Sequence, residues 1–492
     1  MKFDFLTKDF IETDVSPNRL AVIGSDRKLT WIEFQTEVDE LSLKLRSNGI
    51  NSTSHPVLLY GHKNAQMIVT IYALIKLEVP YIPVDILYPV DRIKKIVNTS
   101  NSQVILNTTN SLLAIKGTME ILVNGSEFNL ETDIKTLELA EKLEDPLVYI
   151  IFTSGSTGEP KGVMISTEAA LSFTRWMCSN DFGFSENDVF INTAILSFDL
   201  SVFELMSFGA LGACILLNDR EVTGSPNLLM DRIKLYQGSV WVSTPSFAFP
   251  YSRMKNESRL DSVHTFLFCG EVLTKALAKN LLLSYEKARV LNTYGPTEAT
   301  VATTLVQITK EIVDKHDSLP VGVCRNEAKL ILQNNEIVIV GAHVSLGYMN
   351  NAHLSELKFF LIDGERAFRT GDEGYLRDKM LFFNGRNDDL VKLHGYRIEL
   401  NEITSALLDL EYISQAETIA LKRDGTVKKI VSLVSLQEQT SEIDKVLIKK
   451  DLAALLPQYM IPADIKIVTE LPLNSNGKVD KKQLQELYLK RG

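Results

Sequence analysis

The sequence is poor in the features that would make it a secreted, metal-clustered or membrane-spanning protein. Its 492 residues include only four cysteines, Cys178, Cys214, Cys269 and Cys324, far apart and without a CxxC pair. Neither a disulfide framework nor a zinc cluster is expected, and reduced thiols are the plain reading. No apolar run reaches the ~18 residues that a membrane-spanning helix needs. The N-terminal MKFDFLTKDFIETD mixes acidic and apolar residues, with no basic segment leading into an apolar one. That pattern excludes a secretory signal and predicts a cytoplasmic protein with no membrane insertion. A basic excess is lacking too: the formal net charge is -10, which disfavours a phosphate backbone as partner, so no nucleic acid is expected. No internal repeat at 20–50-residue spacing is present, which excludes a solenoid or propeller.

What the chain does have is the balance of an ordinary globular protein, 45% hydrophobic and 23% charged residues. Its length exceeds the ~250–300 residues at which one core stops growing, so two or more cores are expected. Helical patterns alternate with short apolar runs. Met67–Leu77 reads as a helix, Tyr81–Val84 as a strand ended by Asp85, and Leu147–Phe152 as a strand apolar throughout. Ala276–Ala288 reads as a helix, Arg289–Leu291 as a strand and Tyr294–Thr297 as a turn. This alternation predicts an α/β fold. Beyond the polar Asn384–Asp389, a helix near Leu400–Leu410, a strand Lys429–Leu436 and a helix near Ile443–Leu456 predict a smaller α+β domain.

The strand Leu147–Phe152 runs into Thr153, Ser154, Gly155, Ser156, Thr157 and Gly158, then Glu159-Pro-Lys161-Gly162. Hydroxyls, glycines that let backbone N–H groups approach closely, and one lysine suit phosphate oxygens. The pattern is not GxxxxGK[ST], because glycine follows Lys161. By itself such a stretch is more often a plain turn.

As a whole string, however, it resembles the signature loop of the acyl-adenylate-forming superfamily. Asn292, Thr293, Tyr294, Gly295, Pro296, Thr297 and Glu298 resemble the second signature. Thr370-Gly-Asp372, Gly385-Arg386-Asn-Asp388 and Asn476-Gly-Lys478 follow in the family order. The resemblance implies that Tyr294 stacks on adenine, Asp372 binds ribose, and Thr153, Arg386 and the rest of these segments bind ATP. It implies that Glu298 holds Mg²⁺, Asp388 is the hinge of a mobile C-terminal domain, and Lys478 is the catalytic lysine touching both substrate carboxylate and α-phosphate. Without it, Tyr294 would be a packing residue at a turn, Glu298 a solvated acid at a helix start, and Lys478 a surface turn residue.

Ser197-Phe-Asp199-Leu-Ser201 resembles the short motif whose Asp holds the α-amino group of an amino-acid substrate. The runs SFDLSV, WVSTPSF, FCGE and NTYGPTEATVA are most similar to the D-alanine:D-alanyl carrier protein ligases. Cys269 and Val301 then fall at pocket-lining positions, and the cysteine would narrow the pocket to about one methyl group. Isolated buried cysteines are also common as inert core filler. Phe368, Asp389-Leu390 and Asn335-Glu336 depart from the family pattern near the ribose and hinge motifs.

The implied architecture is a large N-terminal adenylate-forming α/β domain over 1–387 and a smaller mobile α+β domain over 388–492. The implied activity is ATP-dependent activation of a small amino acid, D-alanine favoured, with ATP and Mg²⁺ as cofactors. Transfer to a separate phosphopantetheinylated carrier protein is expected, since Gly492 follows soon after the lysine motif. A stand-alone adenylation enzyme for Gly or L-Ala remains the alternative.

Overall fold

The computed structural model describes residues 1–14, 16–124, 127–132, 144–155, 159–254, 260–386, 390–423, 426–437, 443–472, 479 and 481–489. Apolar strands that alternate with capped helices build its two main sheets. Asn64 accepts a hydrogen bond from the Met67 N–H and so starts the helix Ala65–Lys76, two residues earlier than the apolar pattern alone predicts. Its residues Ala65–Ile75 are all buried. Thr30 and Glu33 form a reciprocal capping box on the helix Trp31–Ser47.

Contact density divides the chain into two units. One comprises Met1–Asp85, Val97–Ile151 and Gly162–Gly385; the other comprises Ile86–Ile96, Phe152–Lys161 and Arg386–Gly492. In the first unit, a seven-stranded sheet is built around Tyr81–Asp85, Val57–Gly61, Val104–Asn107 and Met119–Asn124, paired in parallel. A nine-stranded sheet holds six parallel neighbours in the spatial order Arg289–Tyr294, Thr265–Phe268, Val240–Ser243, Val189–Asn192, Cys214–Leu217 and Leu20–Ile23. Three of these six strands are buried at every residue, as strands covered on both faces must be. A third, antiparallel sheet includes Glu336–Gly341 and Glu365–Arg377. The second unit carries a hairpin, Leu390–Leu393 with Tyr396–Glu399, and a three-stranded sheet of Ile413–Arg423, Thr426–Leu436 and Asp464–Ile467. Helices Leu400–Leu408 and Lys445–Leu455 pack into its core.

The differences from the sequence expectations lie at element ends. The helix expected to reach Ala288 stops at Ser284. The strand expected to end at Leu291 continues to Tyr294, because Thr304–Ile308 pairs antiparallel along its whole length. Tyr294 is therefore the last strand residue and the turn begins at Gly295. Such pairing partners lie too far along the chain to be read from local pattern.

Asp188 joins three strands of the nine-stranded sheet at their starts. Its carboxylate accepts from Ser239 Oγ at 2.8 Å and from the Ser185 N–H at 2.8 Å, and lies 2.6 Å from His264 Nε2. Burial alone would raise this carboxyl, but the hydrogen bonds from His264, Ser185 and Ser239 outweigh it and hold it below the usual carboxylate range. The resulting stability is present above the pH at which an unfolded Asp titrates and is lost as pH falls through the depressed folded value. Asp188→Asn should cost about 1–3 kcal/mol at neutral pH and flatten the acid limb of stability, measured by urea unfolding at successive pH values. An acid limb identical to that of the unaltered chain would refute this assignment.

Candidate active site

Within the first unit, the polar end of the strand Arg289–Tyr294 gathers the second signature. Asn292 Nδ2 donates to the Pro320 carbonyl at 2.8 Å, and Thr293 Oγ1 donates to the Phe268 carbonyl at 2.8 Å. Both side chains are thereby consumed in fixing the strand end, while Asn292 Oδ1 remains buried without a partner among the described residues. Tyr294, 6% exposed, packs with Ala299, Ile337 and Phe368. Its hydroxyl donates to Asp372 Oδ2 at 2.6 Å. Sequence positions 78 apart are thus joined by one buried hydrogen bond. Thr370 Oγ1 receives the Asp372 N–H and itself donates to the Ile337 carbonyl, which orients the Thr370-Gly-Asp372 segment where the register of the strand Glu365–Arg377 shifts. Gly295 permits a backbone approach that a side chain would forbid: a Cβ there would lie 2.5 Å from Ala302 Cα.

Glu298 is fully buried, at 0% exposure in the short 3-10 turn Thr297–Ala299. The solvated acid that local sequence allows is therefore not what the fold makes. Tyr348 donates its hydroxyl to Glu298 Oε1 at 2.7 Å, and the Ser345 N–H donates to the Glu298 carbonyl at 2.8 Å. Tyr348 lies 50 residues away in sequence and no local signal marks it.

Asp199 opens the 3-10 turn Asp199–Ser201, directly before the helix Val202–Leu211, and is half-buried. Phe198, in extended conformation, occupies the cap position of that turn. Cys269 and Val301 come together: the Cys269 thiol lies 3.7 Å from the Val301 carbonyl, and both residues are buried. Val301 follows Thr300 with positive φ at both, 46° and 70°. A β-branched residue in that region is strained and persists only where its surroundings impose it. The other thiols have no nucleophilic character, since burial pushes Cys214 up to about 12 and Cys178 and Cys324 up to about 11.

In the second unit, the described ends of the Ser/Thr/Gly loop already hold anionic or carbonyl oxygens. Thr153 Oγ1 donates to the Lys161 carbonyl at 3.5 Å, and Ser154 Oγ donates to the Arg397 carbonyl at 2.9 Å while accepting the Glu399 N–H. The Gly155 N–H donates to Glu402 Oε2 at 3.1 Å, and Lys161 Nζ lies 3.2 Å from Glu399 Oε1. A Cβ on Gly155 would fall 2.0 Å from the Glu159 carbonyl oxygen, so the loop closes only around a glycine. Glu402 also meets Arg92 at 2.5 Å in a pair with 3% and 1% side-chain exposure. Burial pushes the Glu402 carboxyl up, and Arg92 counters it. Arg92, Glu399 and Glu402 carry no motif that points to this loop; only the fold brings them to it. Donors that bind carboxylate oxygens in this way fit phosphate oxygens equally. Arg386 is half-buried at the end of the strand Met380–Arg386. Ser156, Thr157, Gly158, Asp388 and Lys478 lie outside the described residues.

Tyr348→Phe should leave folding intact, at a cost of about 1 kcal/mol, yet lower ATP-dependent turnover about tenfold by freeing the Glu298 carboxylate from its orientation. Thermal unfolding alongside ATP–pyrophosphate exchange separates the two effects. Undiminished exchange would remove Tyr348 from the site.

Comparison with known proteins identifies the family. The family model of the AMP-binding enzymes matches residues 12–349. The D-alanine--D-alanyl carrier protein ligase of Bacillus licheniformis is 38% identical over 99% of both chains. The protein of the same name from Bacillus cytotoxicus is 38% identical over 95% of this chain and 96% of its own. Among solved structures, the Vibrio cholerae adenylation domain AlmE, in complex with glycyl-adenosine-5'-phosphate, aligns with a TM-score of 0.80 at 21% identity, covering 96% of this chain and 95% of its own. That likeness establishes the α/β adenylation fold. With an AMP-binding family match over residues 12–349 and 38% identity to these ligases along almost the whole chain, the protein belongs to the AMP-binding enzymes, in the D-alanine--D-alanyl carrier protein ligase family.

Proposed function

We propose that this enzyme activates D-alanine with ATP and transfers the aminoacyl group to the phosphopantetheine thiol of a separate carrier protein. The observation that carries this reading is near-full-length identity of 38% to ligases named for that reaction. The joined Tyr294–Asp372 pair and the buried Glu298 support it.

In the first half-reaction, a carboxylate oxygen of the amino acid attacks the α-phosphorus of ATP. The bond from the α-phosphorus to the α,β-bridging oxygen breaks, and pyrophosphate leaves. Charge accumulates on oxygens in transit, so fixed cations and N–H donors stabilise that state. In this reading Thr153–Lys161 receives the phosphates, Tyr294 lies against the adenine and Asp372 accepts from ribose hydroxyls. Asp199 pairs with the substrate ammonium, and Cys269 and Val301 bound its methyl group. Lys478 bridges the carboxylate and the α-phosphate. Mg²⁺, when bound, neutralises phosphate charge, and Glu298 is the carboxylate that would hold it, in keeping with an ion carried through phosphates rather than in a protein cage.

In the second half-reaction, the carrier thiolate attacks the acyl carbon and AMP leaves, giving a thioester. Rotation of the smaller domain, 388–492, about Asp388 against 1–387 would exchange Lys478 for the face near Gly395 between the two steps. D-Alanylation of teichoic acids in the cell envelope is the role this reading assigns, with the enzyme in the cytoplasm. None of the described helices is long and apolar enough to cross a membrane.

Amino-acid-dependent ATP–pyrophosphate exchange with D-Ala, L-Ala, Gly and Ser tests the substrate. Preference for D-Ala is expected; preference for L-Ala or Gly would retain adenylation and move the enzyme to natural-product biosynthesis. Lys478→Ala should lower adenylation by ~10²-fold or more while sparing transfer from preformed adenylate. Equal loss in both half-reactions would contradict the alternation of faces.

A further inference from the structure

The residues flanking Asp199 are held by two buried ionisable groups that the reaction itself does not use. Lys63 is 3% exposed and donates from Nζ to the Thr193 carbonyl at 2.8 Å. Glu204, in the first turn of the helix Val202–Leu211, is 0% exposed and accepts from Asn192 Nδ2 at 3.2 Å. Asn192 and Glu204 thus close the chain between them into a loop, and Asp199 lies within it. The Asn192 carbonyl is gripped from outside by Asn218 Nδ2 at 3.1 Å, and Thr193 Oγ1 donates to the Val242 carbonyl at 2.8 Å. Inside the loop, Ser201 Oγ donates to the Phe198 carbonyl at 2.7 Å.

We propose that Lys63, Asn192 and Glu204 are positioning residues for substrate-ammonium recognition, clamping the two ends of the segment that carries Asp199. The proposal rests on the reading of Asp199 given above.

Stability alone gives little reason for the arrangement. Burying an ammonium and a carboxylate without a direct contact costs more than an apolar pair of similar volume. Glu204 Oε2 and Asn192 Oδ1 are buried without hydrogen-bond partners among the described residues. Burial lowers the Lys63 ammonium to about 8, against the opposing pull of Asp85, Glu204 and Asp219, and pushes the Glu204 carboxyl up. Asp85 is itself engaged by His62 Nδ1 at 2.8 Å, and the His62 Nε2 accepts the Arg220 N–H, which places the ring proton on Nδ1. What the cluster does provide is a fixed loop. A carboxylate facing a substrate ammonium must be held in one orientation to discriminate, because a mobile one loses the geometry on which charge-assisted hydrogen bonding depends.

The test uses the full-length enzyme, Mg²⁺, ATP and the amino acid that the unaltered chain turns over best. Lys63→Met and Asn192→Leu should each raise the KM for the amino acid about tenfold, with kcat and the KM for ATP changed less than about threefold. Their thermal midpoints should fall, because each leaves a buried polar partner unsatisfied; the selective rise in the amino-acid KM is what a purely structural role would not produce. Glu204→Gln, which keeps an acceptor for Asn192, should retain the KM of the unaltered enzyme, whereas Glu204→Leu should behave as Lys63→Met. Asp199→Asn is measured alongside. If Asp199→Asn raises the amino-acid KM and Asn192→Leu does not, the clamp is wrong and the Asp199 reading stands. If Asp199→Asn leaves that KM unchanged, the Asp199 reading fails and the clamp falls with it. Failure of Lys63→Met to fold, with an unchanged amino-acid KM in Asn192→Leu and Glu204→Leu, also overturns the proposal.

Discussion

The hydrogen bond from the Tyr294 hydroxyl to the Asp372 carboxylate, 2.6 Å long and buried, ties the C-terminal end of a parallel strand to an irregular stretch of a strand in the antiparallel sheet. Around it the other groups of the first unit take their places. Tyr294 can reach Asp372 because its strand stays paired with Thr304–Ile308 to its last residue. Asp372 is presented because Thr370 locks this stretch of the strand onto the Ile337 carbonyl. Just beyond Tyr294, the absence of a side chain at Gly295 lets the backbone fold against Ala302, and the next turn buries Glu298 beneath Tyr348. Polar ends of parallel strands are where α/β folds place ligands, and here the strand end is stiffened by side chains before any ligand arrives.

The second unit solves a different problem with the same chemistry. A loop rich in hydroxyls and N–H groups has donors that must be satisfied, and a buried donor left alone costs about 1–3 kcal/mol. Glu399, Glu402 and the Arg397 carbonyl satisfy those of Ser154, Gly155 and Lys161. Arg92 in turn balances Glu402. The described ends of the loop thus already meet carboxylate and carbonyl oxygens within the protein.

Much of this was legible in the residue order. The strand beginning at Leu147 was readable because a strand buried on both faces is apolar without alternation. The nucleotide signatures were readable because hydroxyl, glycine and lysine side chains in a short span have few structural uses together. Helix starts were misplaced by two residues at Asn64, where a capping side chain and not an apolar period sets the boundary. The expected ends at Ala288 and Leu291 erred because hydrogen-bond partners elsewhere in the chain decide how far a strand extends. Tyr348, Lys63 and Glu204 escaped notice for a related reason: a single tyrosine, lysine or glutamate is ordinarily a surface residue, and nothing adjacent in sequence marks one as buried.

The sequence by itself determined the α/β class and the family, and nominated the groups proposed to meet phosphate, ribose, adenine and ammonium, since these depend on residue type and short spacing. Only the tertiary structure decided which of those groups are oriented and by what: Asp372 by Tyr294, Glu298 by Tyr348, and the loop around Asp199 by Asn192, Glu204 and Lys63. Orientation requires contacts between residues far apart in the chain, and contacts of that kind exist only once the sheets have formed and excluded water from between them.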